Sequence, residues 1–248
     1  MVILEARPLL NVILGLVQLE RSLATETNAE IDHHAPLMVE LKGMSELLVK
    51  ECQNLQLQVA ADAARGLTDA RTLHGVKKTV AFIRDAMAIG LNRRKFFEPE
   101  PRYAEYFENP KLFGDQVFTA FASANDDITE AGTCLALERS TACVMHLMRA
   151  MEVALAALAK AVNVGPQNDW GSYLRLIDSE LLNRAKTAGA RSADEQFYAE
   201  AAIQFDHVKR AWRNPTMHVE KTYTQDRAAE ILQSVRSLMS HLATKISE

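Results

Sequence analysis

Arg213, Asn214 and His218 stand closest to chemistry in this chain of 248 residues. Arginine offers a permanently charged planar fork that matches phosphate oxygens, and histidine titrates near neutral pH and can take or give a proton. Together they suit cleavage of a phosphodiester without a metal. Asn214 precedes Pro215. A residue before proline is pushed out of the α region, so the helix carrying Lys209, Arg210 and Arg213 is expected to stop there. The stop matters because, on an unbroken helix, a residue five positions on is rotated by about 140°. Released into a loop, Arg213 and His218 can converge on one target. The structural alternative is a helix-terminal arginine paired with an acid, and a loop histidine bound to a backbone carbonyl.

A second group shares one helical face. Arg139, His146 and Arg149 follow at steps of seven and three, which places them within an arc of about 80°. They either line a substrate site or form a structural network, with Glu152 spaced to pair with Arg149. Asp206 is spaced to pair with Arg210, whereas Lys209 repels Arg213 at the same spacing. Asp32-His33-His34 invites a metal reading, but adjacent histidines leave a helix on different sides and no second ligand pair is suitably spaced, so a helix-start cap is expected and a metal site is not. Asn92-Arg93-Arg94-Lys95, beside Phe96 and Phe97, either tracks a nucleic-acid backbone with stacking or is a basic helix end beside its own negative dipole. No GxxxxGK[ST], GxGxxG or GxSxG motif occurs, which disfavours nucleoside triphosphate hydrolysis and serine hydrolase chemistry.

The elements that must position these residues read as helices throughout. Leu9, Ile13, Leu16 and Leu23 make one apolar stripe. Leu37, Leu41, Met44, Leu48, Cys52, Leu55 and Val59 make a second, and Val76, Val80, Ile83 and Met87 a third. Their steps of three and four predict long helices that fold back on one another over residues 1–95. Pro99, Pro101 and Pro110 among aromatic residues mark a connector over 96–114. Over 115–248 we expect about five helices. The first is capped by Asn125-Asp126-Asp127, the next runs from about Arg139 to Val162, others cover about 171–183 and 193–212, and the last begins near Thr222 to Gln225.

Composition bounds the rest. With 48% hydrophobic residues and a net charge of only −4, the chain can bury a core, and any nucleic-acid surface must be a local patch. Cys52, Cys134 and Cys143 lie in apolar helical patterns without metal spacing, and read as reduced, buried thiols in a reducing compartment. The apolar run from Val2 to Leu19 is interrupted by Glu5, Arg7 and Pro8, unlike a signal peptide. No other stretch reads as a membrane span. A cytoplasmic location with no membrane contact is therefore expected.

Arg213-Asn214-Pro215-Thr216-Met217-His218, between two helices, resembles the R-x(4–6)-H signature of the HEPN superfamily, including its polar residue after Arg. Residues 139–152 also resemble a helix of bacterial HEPN-like proteins, so the likeness covers about 115–246. The bare pattern recurs at Arg139 to His146 and at Arg236 to His241, but only the Arg213 match has the Asn and the helix order of the family. The resemblance implies an all-α, antiparallel HEPN-like bundle that forms a homodimer, here preceded by long N-terminal helices. It implies metal-independent endoribonuclease activity leaving a 2′,3′-cyclic phosphate, with no cofactor, in toxin or antiviral settings. Arg213, His218 and Asn214 would be catalytic, with Arg139, His146, Arg149 and Glu152 as substrate contacts. Residues 1–95 add nothing to the resemblance, and it is the long seam of Leu37 to Val59 that suggests a protein partner, antitoxin or effector, engaging the N-terminal helices. Some relatives bind RNA, nucleotides or proteins without cutting, which is the alternative.

Overall fold

The computed structural model describes residues 6–22, 36–94, 99–218 and 221–248. Every regular element among them is helical, and no strand occurs. The chain divides into two compact units, residues 1–96 and 97–248.

In the first unit, α1 (Ala6–Ser22) touches α2 (Pro36–Asn54) and α4 (Leu73–Asn92), and α3 (Gln58–Arg65) packs between α2 and α4. Leu41, Leu48 and Cys52 of α2 meet Val76, Val80, Ile83 and Met87 of α4 in one buried cluster. Thr72 caps α4 by accepting from the Gly75 N–H. Two expected stripes are corrected. On α1 the buried residues are Val12, Leu16 and Leu19, while Ile13 is exposed. The α2 seam does not reach Val59, which is 63% exposed. The chain turns at Gln56, φ 53°, and the helix that restarts at Gln58 has lost the phase of α2.

The second unit is organised on α7 (Ser140–Ala161), which packs against α6 (Asn125–Ala136), α8 (Trp170–Ala188) and α11 (Gln225–Leu242). Leu147, Met151, Ala154, Leu155 and Leu158 of α7 are fully buried, each large side chain contributing roughly 1.5–3 kcal/mol. Contrary to the sequence reading, α7 is long and apolar enough to cross a membrane. In the structure 61% of that apolar stretch is buried, packed against its helical neighbours. Trp170 of α8 meets Phe205 of α9 (Ala193–Val208) edge-on, with centroids 5.8 Å apart. Side-chain caps start three of these helices: Asp169 on Ser172, Ser192 on Glu195 with the reciprocal bond, and Thr224 on Arg227.

Residues 99–114 lie along α6. The Glu100 N–H donates to Ala136 O at 2.8 Å and the Glu108 N–H to Thr133 Oγ1 at 3.0 Å. Gly132 permits this approach, because a Cβ there would meet Leu112 Cδ2 at 2.6 Å and Tyr106 O at 2.7 Å. The expected cap of α6 is not formed. Asn125 donates to Phe118 O, no side chain caps the helix, and Asp127 reaches across to α7. A tight turn joins the two helices, with Glu138 at φ 58° and the Arg139 N–H donating to Cys134 O at 2.7 Å. That turn fixes the register in which α6 and α7 face each other.

Candidate functional site

The chain does not break before Pro215. After α9 it widens into a π turn over Lys209–Arg213 and continues as α10 (Asn214–Met217), with Asn214 itself helical at φ −64°, ψ −50°. Proline lacks an N–H and its ring presses on the carbonyl four residues back in an α-helix. The π turn relieves this by letting the Asn214 N–H bond to Lys209 O, five residues back. The Thr216 hydroxyl donates to Trp212 O at 2.6 Å and meets the Tyr223 hydroxyl at 2.8 Å. The Tyr223 N–H donates to Thr141 Oγ1 of α7 at 3.2 Å. The segment is thus fastened to the start of α7 while remaining helical.

The expectation that a loop lets Arg213 and His218 converge is therefore corrected. They sit on one helical path, about 140° apart by its pitch. His218 ends the helix, its N–H donating to Asn214 O at 3.0 Å. Its side chain is exposed, and among the described residues no hydrogen bond or ion pair engages it. Arg213 is half-buried. Its Nη1 donates to Asn214 Oδ1 at 3.4 Å, and its buried Nε has no partner among the described residues.

The arrangement of charges around Arg213 is uneven. Asp206 takes Lys209 at 3.0 Å and Arg210 at 2.7 Å. The hydrogen bond from Lys209, with the charges of both partners, holds its carboxyl below the usual range. Among the described residues, no acid pairs with Arg213. Of the buried polar atoms without a partner among the described residues, the Arg213 Nε is the one that belongs to a cation. The described residues contain no ion pair of the kind that the structural alternative requires of Arg213.

The second group assembles around a residue that sequence reasoning assigned to a cap. Asp127 Oδ1 accepts from Arg149 Nε at 2.7 Å and faces His146 Nδ1 at 2.8 Å. Burial alone would raise the Asp127 carboxyl, but the hydrogen bonds from Arg149 and His146 outweigh it and hold the group below the usual carboxylate range. The expected Arg149–Glu152 pair is not formed: Arg149 turns to Asp127, and Glu152 stays exposed. Arg139 precedes α7, is exposed and makes no side-chain bond among the described residues. No hydrogen bond or ion pair joins Arg213 or His218 to Arg139, His146, Arg149 or Glu152 within the described residues. The π turn and α10 nevertheless pack on α7.

All three cysteines are free and buried. Burial pushes the Cys143 thiol up to about 12 and the Cys52 thiol to about 11. Cys134 is pushed up by burial and by Glu130, with Arg139 acting the other way. The expectation that no cysteine has ligands nearby is corrected for this residue. Ligand atoms of Glu130, Cys134 and His146 lie within 4.8 Å of one another. The signal in the sequence was the four-residue spacing of Glu130 and Cys134, which puts both on one face of α6. Of the remaining candidates, Asp32-His33-His34 lies outside the described residues, as do Lys95, Phe96 and Phe97. Arg94 donates to Gln56 O at 3.1 Å, a structural use. No family model, curated protein or solved structure matches this chain.

Proposed function

We propose that the second unit is a HEPN-like helical bundle that cleaves RNA without a metal, as a homodimer. The observation that carries this reading is the Arg213 guanidinium, partly buried, bonded to Asn214 and without a carboxylate among the described residues, on the same helical segment as an exposed histidine. A buried donor without a partner costs about 1–3 kcal/mol, and a phosphate oxygen satisfies it. His218 accepts the proton of the ribose 2′-hydroxyl, whose oxygen attacks phosphorus, or returns a proton to the departing 5′-oxygen. Arg213 stabilises the charge that builds on the phosphoryl oxygens. The products are a 2′,3′-cyclic phosphate and a 5′-hydroxyl. With Arg213 and His218 about 140° apart on one helix, a single phosphate takes the arginine from one protomer and the histidine from its partner across a two-fold axis.

The test is purified full-length protein on total RNA and tRNA in EDTA, with end-group analysis of the fragments. Metal-independent cutting that is lost in Arg213→Ala and His218→Ala, and that leaves cyclic phosphate, supports the reading. Unchanged cutting in those variants sinks it.

The helical continuity of residues 213–217 favours a second reading, in which the unit binds RNA without cutting it. In that case wild type retains labelled RNA on a filter intact, Arg213→Ala weakens retention, and His218→Ala leaves it unchanged.

A further inference from the structure

We propose that the α6–α7 hairpin is a binding site for a zinc-class divalent cation, with Glu130, Cys134 and His146 as ligands and a fourth position open to water. Glu130 and Cys134 are one turn apart on α6, and His146 faces them from α7; their ligand atoms lie within 4.8 Å of one another. A tetrahedral zinc site needs donors separated by about 3.3–3.7 Å. At most roughly an ångström then separates these atoms from that geometry, a distance side-chain rotation covers, and Glu130 is exposed at the rim. Cys134, buried on the same face, supplies the inner ligand. The turn at Glu138 holds the two helices in register on either side.

The histidine has the kind of carboxylate contact that metal-ligating histidines usually make. Its Nδ1 faces Asp127 Oδ1 at 2.8 Å, and an Nδ1–H donated to that carboxylate leaves the Nε2 lone pair for a cation. Asp127 cannot itself be drawn in as a ligand through that oxygen, because Arg149 Nε also donates to it at 2.7 Å. The donor set decides the ion. One thiolate, one imidazole and one carboxylate suit Zn²⁺, whereas Mg²⁺ and Ca²⁺ take oxygen ligands almost alone. Thiolate and carboxylate together carry two negative charges and neutralise the cation. Three protein ligands leave one coordination position, on the side of Glu130, for solvent.

This site shares no residue with Arg213, Asn214 and His218, and RNA cleavage in EDTA is expected whether or not it is filled. The two proposals therefore fail separately. The experiment is a Co²⁺ titration of the chelator-stripped full-length protein, reading the thiolate-to-cobalt charge-transfer band in the near ultraviolet. One equivalent is taken up, Zn²⁺ abolishes the band, and the band is absent in Cys134→Ser but retained in Cys52→Ser. Asp127→Asn weakens binding by about 10–100-fold while keeping the band. A wild-type protein without the band, or a band that persists in Cys134→Ser, overturns the proposal. Should Cys134→Ser fail to reach wild-type helix content, Glu130→Gln and His146→Gln carry the same test, and unchanged affinity in both overturns it.

Discussion

Thr216→Val removes one hydroxyl while keeping the side-chain shape, at a position only 4% exposed. That hydroxyl binds Trp212 O at 2.6 Å and the Tyr223 hydroxyl at 2.8 Å. An intramolecular hydrogen bond contributes about 0.5–1.5 kcal/mol net, and a buried group left unpaired adds to the loss. Tyr223 keeps a longer contact to Trp212 O, 3.5 Å, so part of the loss is recovered. The expected destabilisation is about 1–2 kcal/mol, which lowers the melting midpoint by roughly 3–6 °C for a unit of this size. Urea unfolding followed by far-ultraviolet circular dichroism reads it as a lower midpoint at unchanged slope. Because Tyr223→Phe breaks the same pair, the double variant falls short of the sum by about 0.5 kcal/mol or more. On the proposed reading RNA cleavage also drops in both single variants, since they loosen the segment that carries Arg213. A Thr216→Val protein as stable as wild type, or strict additivity with Tyr223→Phe, refutes the claim that this pair holds the proline-containing helix to α7.

Gly132→Ala brings a methyl group to 2.7 Å from the backbone oxygen of Tyr106 and 2.6 Å from Leu112 Cδ2, and since backbone cannot yield cheaply it costs about 1–3 kcal/mol, measured as a shift in urea midpoint. Asp127 has a carboxyl depressed in the folded state. Its contribution is therefore fully present above the ordinary carboxylate pKa of about 3.9 and is lost as pH falls below that value and through the depressed folded one. Asp127→Asn flattens that part of the stability–pH curve, which thermal melts across the acid range detect.

The helical class was legible because buried positions recur every three or four residues. On α4 that rhythm picked out Val76, Val80, Ile83 and Met87, all buried. It failed where the phase resets, as at Gln56, which turns Val59 outward. The proline rule failed for a different reason. Asn214 stays helical because a π turn before it makes room for Pro215, and hydroxyls from Thr216 and Tyr223 bind Trp212 O and hold the segment in place, Tyr223 being brought there by tertiary packing. Asp127 looked like a cap by local spacing, but Arg149 and His146 on α7 compete for the same carboxylate and win. The same contact removed the expected Arg149–Glu152 pair. Glu130, Cys134 and His146 were not read as a set because the two helices that bring them together are joined by a turn whose register one sequence does not reveal. Arg213, Asn214 and His218 were legible as types and spacing, whereas the pairing of Asp206 with both Lys209 and Arg210 and, among the described residues, not with Arg213, depends on the fold.

The most direct test of the central claim is RNA cleavage in EDTA by dimers assembled from equal amounts of Arg213→Ala and His218→Ala protein. On the proposed reading each variant alone is inactive. If one phosphate takes Arg213 from one protomer and His218 from the other, half of the mixed population is heterodimer, and each heterodimer carries one intact site and one doubly defective one. The account predicts recovery of about a quarter of wild-type activity, with cyclic phosphate ends. Heterodimers that form but cut no RNA contradict it.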